Sequence, residues 1–475
     1  MVPQPDSVIS TPGQESPQTS QGSAPAAPTA RATSWQVLTA RNFLFLWLGQ
    51  LISSIGDRFT MVALISFVFA TDKVGQYTAQ FSFAGMLPGL IFAPFYGWII
   101  DSFERKKVMI AADLIRVVIV LTFIYALSGN NPDYTLGCAA LFALGTFNGL
   151  FIPARQAALP QIVEPERLLT ANGLVALIGP IGTILGSPLA MVVIGVVGPW
   201  NAYIVNALCF IASAICIQAI SKELWPDTQK QVKEHQPLNK SWREMTDGWR
   251  TLRSHPPLLP LVFINGLFAF ASLMFLVLVM DYATKQLDYS TLQSMLAPIV
   301  DAMRYEPLTP KILQMIAVGL LFVCLGVGMF IGTWIYGAIG KLGQWCGLPF
   351  AGLIVLGTGM IALGQLTQLF VILPFAFLLG IAATSVPIPI DARIQNDVDN
   401  HHRGRLFALR NMWTTLCGLL ALATHIDGSL LKYVGAAALF TWLGTGLIAV
   451  SAACFVLLPY LLRTFWTVRH PSGPA

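Results

Sequence analysis

The sequence predicts an all-α membrane protein, with twelve transmembrane helices in two six-helix pseudo-repeats. Only 11% of the 475 residues are charged, 55% are hydrophobic and the mean hydropathy is +0.66, whereas a soluble domain carries about 25% charged residues. The apolar runs are long and unbroken, as helical spans of roughly 20 residues are, and unlike the alternating strands of about 10 residues in a barrel. A single long polar stretch, 221–257, divides those runs six and six.

Residues 1–40 are rich in Ser, Pro, Gln, Thr and Ala and read as a disordered cytoplasmic tail, without the ordered regions of a signal peptide. Spans are expected over 42–70, 77–100, 107–128, 134–154, 168–197 and 200–220, then over 258–280, 312–339, 347–366, 368–390, 406–424 and 433–462. This gives an N-terminal bundle over 41–220, a cytoplasmic central loop over 221–257, a C-terminal bundle over 258–465 and a tail over 466–475. A long outer segment, 281–311, carries Leu292, Met295, Leu296, Ile299 and Val300 at helical spacing, so an interfacial helix or a lid is expected there.

Lysines and arginines fall roughly four to one on the side holding both termini, which places the termini in the cytoplasm. A shift of roughly 235 residues maps Gly97 onto Gly332 and Val163-Glu164 onto Val398-Asp399, as parallel repeats would. The net charge of +5 follows this topology and forms no single basic face, so no nucleic-acid partner is expected. Six of the seven cysteines lie inside apolar runs with no CxxC spacing and read as core residues.

An ionisable group inside a bilayer is costly and marks a functional candidate. Gln50, Ser53 and Asp57 share a face of the first span, with Asp57 near its middle. Asp57 either takes up and releases a proton as its surroundings alternate between wet and dry, or forms a permanent ion pair with Arg58 or Arg116. Asp113 and Arg116, at i, i+3, can pair with each other or take part in coupling. Asn148 and Arg155 share a face of the fourth span, where Gly145 and Gly149 have close-packing spacing. Gly179, Pro180, Gly182 and Gly186 make the fifth span a candidate packing hinge. Phe268, Phe270, Phe275 and Phe322 line an apolar cavity or face lipid.

No GxxxxGK[ST], HExxH or GxSxG motif is present, and the adjacent His401 and His402 do not have the spacing of a helical metal site. Neither an enzyme nor an ATP-driven pump is expected, and no cofactor or metal.

The stretch Gly97-Trp-Ile-Ile-Asp101-Ser-Phe-Glu104-Arg105-Lys106-Lys107 resembles the major facilitator superfamily signature between the second and third of twelve spans. It departs from that signature at Ser102 and Glu104. Gly56-Asp57, Asp113-Leu-Ile-Arg116, Pro153 to Pro160, Ala171-Asn172 and Arg403-Gly404-Arg405 resemble the branch of the enterobactin exporter and the macrolide efflux proteins. The resemblance implies a cytoplasmic gate of Gly97, Asp101, Arg105, Lys106, Arg155, Arg403, Gly404 and Arg405, with Asp101 meeting a helix N-terminus of the other half. The antiporter motif of the fifth span is half present, because Thr183 stands where glycine is usual.

The expected function is alternating-access export of a small amphipathic compound, a siderophore, macrolide or drug-like molecule, driven by a proton gradient. The substrate site lies between the halves near the midplane, with Asp57, Arg58, Asp113, Arg116, Gln50 and Asn148 as coupling or substrate residues. A monomer in the bacterial inner membrane is expected, with a small-molecule substrate and the lipid bilayer as its partners. Ile91-Phe-Ala-Pro-Phe with Asp101-Ser-Phe also resembles lysophospholipid transporters, which makes a lipid flippase the alternative; a transport-inactive sensor or scaffold is the alternative of another class.

Overall fold

The computed structural model describes residues 34–127, 132–164, 167–221, 248–255, 257–302, 309–339 and 347–469. The first half contains α1 (Ser34–Leu38), α2 (Arg41–Phe69), α3 (Val74–Ile91), α4 (Ala93–Ser102), α5 (Arg105–Leu127), α6 (Tyr134–Ile162), α7 (Leu168–Ala176), α8 (Ile178–Val197) and α9 (Pro199–Gln218). The second contains α10 (Leu258–Lys285), α11 (Ser290–Ala302), α12 (Pro310–Ile339), α13 (Leu348–Gln365), α14 (Leu369–Thr384), α15 (Pro387–Asp397), α16 (Asn400–Ala423), α17 (Ser429–Val434) and α18 (Ala436–Arg469). Among the described residues no strand forms, and Asp288 and Gln368 make one isolated bridge.

Eleven helices among the described residues are long and apolar enough to cross a membrane. The segment expected as the second span, 77–100, differs from the other eleven. Gln76, Gln80 and Ser82 lower the hydropathy of α3, which is not among the eleven, and Pro94, which has no N–H to donate, parts α3 from α4 at Phe92. Prolines explain two further breaks. Pro180 cannot bond back to Ala176, so the fifth span divides at Leu177 into α7 and α8, while Pro387 and Pro389 start α15 as a new helix after α14.

Two expected boundaries are corrected. The tail ends before residue 40, because α1 forms and Val37 is buried against Phe43 and Leu46 of α2. The central loop is helical over 248–254, where a Cβ on Gly248 would stand 2.8 Å from the Arg405 carbonyl oxygen. The outer segment holds α11, whose Leu292 is buried on the core while Met295 is exposed.

Side chains pack into two cores. One joins both halves, running from Phe59 and Val68 of α2 through Met280 of α10 to Leu431 and Phe440. The other, with Phe43, Met109, Phe151 and Ile217 among its members, contains residues of the first half alone and lies at the end where α2 begins. The contacts that join the halves lie toward the opposite end. There Gln80 Nε2 donates to the Ile426 carbonyl at 2.9 Å, and a Cβ on Gly75 would collide with the Leu431 side chain and stand 3.3 Å from Asp281 Cβ. Gly428, at φ +71°, sits against Gln76, a left-handed backbone that glycine adopts without strain.

Candidate functional site

The helix faces expected to carry polar groups point inward and meet one another. Gln50 and Ser53 are buried, and Gln50 Oε1 accepts a hydrogen bond from Arg155 Nη1 of α6 at 2.9 Å. One face of α6 thus places Arg155 against α2 and, two turns earlier, Asn148 against α5. Arg116 Nη1 donates to Asn148 Oδ1 at 2.8 Å.

Arg116 is almost fully enclosed at 3% exposure and pairs with Asp113, at 0%. Its guanidinium carbon lies 4.5 Å from the ring centroids of both Phe151 and Phe210, an aromatic sandwich that replaces hydration with two cation–π contacts. The expected Asp113–Arg116 pair is therefore present. Asp57 forms no ion pair among the described residues, although the fields of Arg116 and Arg58 reach it.

Asp57 and Arg58 instead line a cavity of about 380 Å³ together with Asn148, at the small end of the volume range of ligand pockets. Leu64, Ile65 and Val68 of α2, Phe81 of α3, Leu144 of α6 and Met280 of α10 form much of the rest, so both halves contribute. Phe268, Phe270, Phe275 and Phe322 are partly buried against the shared core instead, Phe275 meeting Phe440 edge-on at 6.0 Å. On the C-terminal half the cavity is walled by Leu276 and Met280.

Glycines allow this crowding. A Cβ on Gly145 would run into the Gly85 carbonyl, one on Gly149 would stand 2.6 Å from the Tyr96 ring, and one on Gly182 would stand 2.9 Å from Ser54 Cβ. At Gly186 it would meet the Arg58 stem at 2.9 Å. Gly179, beside Pro180 at the α7–α8 break, has open space around it, as does Gly97.

The residues expected at a cytoplasmic gate divide between roles. Lys106 Nζ donates to the Gln218 and Ile220 carbonyls at 2.9 and 2.8 Å, capping the C-terminal end of α9. Arg105 Nε is buried without a hydrogen-bond partner, and Arg403 Nε donates to the Val398 carbonyl at 3.2 Å. Gly404 and Arg405 follow Arg403 on α16. The side chains of Asp101, His401 and His402 lie outside the described residues, as does the tail beyond Arg469, while α18 continues through Arg469, past the bundle end expected at 465. No group of His, Cys, Asp and Glu among the described residues is arranged to hold a metal ion.

Sequence reasoning missed two features. Asp391 of α15 pairs with Arg410 of α16, residues too far apart in sequence for a helix-spacing rule. The closed end was also missed, where Asp281 pairs with Lys285 at 2.7 Å and His425 is wholly buried with Nε2 unpartnered. Its available signal was Gln76 and Gln80, an i, i+4 polar pair on a helix otherwise read as apolar.

The sequence model of the Major Facilitator Superfamily matches residues 46–422. The chain belongs to that superfamily. It is a multi-pass membrane transporter, and membership accounts for the two helical halves, both of which contribute to the cavity at Asp57. Macrolide efflux protein A of Streptococcus pyogenes is 24% identical over 422 residues, covering 87% of this chain and 95% of that protein. The putative bacilysin exporter BacE of Bacillus amyloliquefaciens is 23% identical over 79% of this chain and 86% of its own length. The lysophospholipid transporter LplT of Pectobacterium carotovorum is 30% identical over 187 residues, 38% of this chain and 42% of that protein. A bacterial homologue of the human lysosomal transporter Spinster, solved inward-facing and unoccupied, shares the fold with a TM-score of 0.62 at 13% identity over 92% of this chain and all of that one.

Proposed function

We propose that this transporter exports a small amphipathic compound by alternating access, in exchange for protons taken up and released at Asp57. The observation that carries the reading is an unpaired carboxylate lining a largely apolar cavity to which both halves contribute. Such a group binds a proton when its surroundings are dry and loses it when water enters. Its neighbour Arg116 is already held by Asp113 and Asn148, so Asp57 is free to change charge without unmaking the buried pair. The efflux-type relatives support the export direction.

With both termini in the cytoplasm, the closed end at Gly75, Gln80 and Gly428 faces outward, and the conformation is inward-facing. Asp101 and Arg105, with Arg155, Arg403, Gly404 and Arg405, close the opposite end in the alternate state. A single chain in the bacterial inner membrane supplies both halves, and we take the monomer as the transporting unit.

Similarity to a lysophospholipid transporter favours one second reading, a lipid substrate moved without proton coupling. Proteoliposomes given a macrolide, a catecholate siderophore, a cationic dye and a lysophospholipid, with and without an imposed pH gradient, separate the two. Gradient-driven movement of one of the first three is expected. Gradient-independent movement of the lysolipid alone would replace the export reading with the lipid one.

A further inference from the structure

Asp57 and Arg58 carry opposite charges and line one cavity, yet they do not pair, because neighbours on a helix diverge by about 100°. The other guanidiniums in the neighbouring bundle positions are engaged. Arg116 holds Asp113 and Asn148, Arg155 holds Gln50, and Arg410 holds Asp391. Arg58 has given a single N–H, to the Met61 thioether sulfur at 3.7 Å, and its Nε is buried without a partner. Its stem is fixed, since the glycine at 186 is what lets α8 pass Arg58 Cγ, which a Cβ there would approach to 2.9 Å. An under-used guanidinium is costly to keep in a low-dielectric cavity and a carboxyl without an ion-pair partner holds a proton there instead, and one ligand can satisfy both.

We propose that the cavity takes a zwitterionic amphiphile. Its carboxylate or phosphate accepts from the fork of Arg58 N–H groups, its ammonium donates to Asp57, and its apolar body lies along Leu64, Ile65, Leu276 and Met280. The proposal rests on the export reading for the role of Asp57 as the proton site: the ammonium takes the proton's place on the carboxylate, so loading the cavity releases a proton. The anionic end meanwhile balances Arg58, and a net-neutral ligand crosses. The same head-group chemistry belongs to a lysophosphatidylethanolamine and to a soluble amino-acid amphiphile.

The test titrates the purified full-length protein in a non-ionic detergent with N-dodecyl-β-alanine, dodecylamine and dodecanoate, matched in tail length, and with lysophosphatidylethanolamine. Proton release is followed by an indicator in weakly buffered solution. The zwitterions should bind at least about tenfold tighter than the amine or the carboxylate, the gain of a second charge-assisted contact, and should release protons on binding. Arg58→Gln should bring the zwitterion down to the affinity of the amine, Arg58→Lys should keep part of the preference, and Asp57→Asn should end the proton release. The ranking on the wild-type protein needs no variant, so a misfolded Arg58→Gln leaves the test intact. Equal affinity for the three dodecyl probes, or a preference untouched by Arg58→Gln, overturns the proposal. Tighter binding of the lysolipid than of N-dodecyl-β-alanine supports it with a lipid as the source, and the reverse order supports it with a soluble compound. Gradient-driven export of a plain cation without any zwitterion preference removes this proposal and leaves proton-coupled export standing. Zwitterion preference without proton release keeps the ligand class and removes the coupling.

Discussion

Arg116 shows how a charge is tolerated inside this bundle. Asp113 neutralises it, Asn148 accepts from it and two phenylalanine rings cover its faces. Asp113→Ala should therefore leave an enclosed guanidinium without its counter-ion and cost about 3–5 kcal/mol, read as a fall in unfolding midpoint in detergent; a shift near zero would show that the pair does not hold α5 in place. His425, outside the spans, behaves differently. Burial pushes its imidazole below the ordinary range, against the opposite pull of a hydrogen bond with the Ala421 backbone and of the Asp281 and Asp427 charges. The folded protein thus keeps it neutral while the unfolded chain takes up a proton below about pH 6.5. Stability should be full above that pH and fall as the pH drops toward the depressed folded value, then level off. Melting curves of wild type and His425→Gln between pH 7.5 and 5 check this: the wild type should lose more, and parallel curves would contradict it. The Asp113–Arg116 pair was legible from the sequence because i, i+3 spacing on a helix brings side chains together. Asn148 was named as a coupling or substrate residue on a packing face, but not as Arg116's second partner, because contact between α5 and α6 is tertiary and no local spacing encodes it.

At the scale of helices, glycine marks where backbones touch. The expected glycine face of the fourth span does pack closely, since Gly145 lies against the Gly85 carbonyl and Gly149 against the Tyr96 ring. Gly145→Ala should cost about 1–3 kcal/mol by overpacking, whereas Gly179→Ala, at a position with open space, should cost less; equal losses in thermal unfolding would show that the α3–α6 contact is not the reason for Gly145. Hydropathy found the apolar runs but not their interruptions at Phe92, Leu177 and Ser385-Val386. The prolines beside them were visible in the sequence, yet a proline inside a span bends, breaks or is absorbed according to what packs around it. Lys106 is a further instance. The resemblance of its loop to the superfamily signature implied a gate, and the carbonyls it caps come from residues more than a hundred positions later.

For the whole molecule, the first-half core lies at the end where α2 begins, and the contacts of Gly75, Gln76 and Gln80 with the other half lie toward the opposite end. The composition and the six-plus-six runs gave the class of this architecture, but which end is closed depends on Gln76, Gln80 and the 425–431 turn meeting across the halves. A Cβ on Gly428 stands 3.3 Å from Gln76 Cβ, near the Cβ–Cβ separation of about 3.5–4.5 Å in a disulfide. Gln76→Cys with Gly428→Cys, in a protein lacking its native cysteines, should therefore cross-link and stop transport until reduced; undiminished transport by the cross-linked protein would show that this end need not open. The proton's place is tested most directly with Asp57→Asn in proteoliposomes, comparing uphill export driven by a pH gradient with gradient-free exchange of labelled substrate. Uphill export should vanish while exchange persists. Uphill export at the wild-type rate would contradict proton coupling at Asp57.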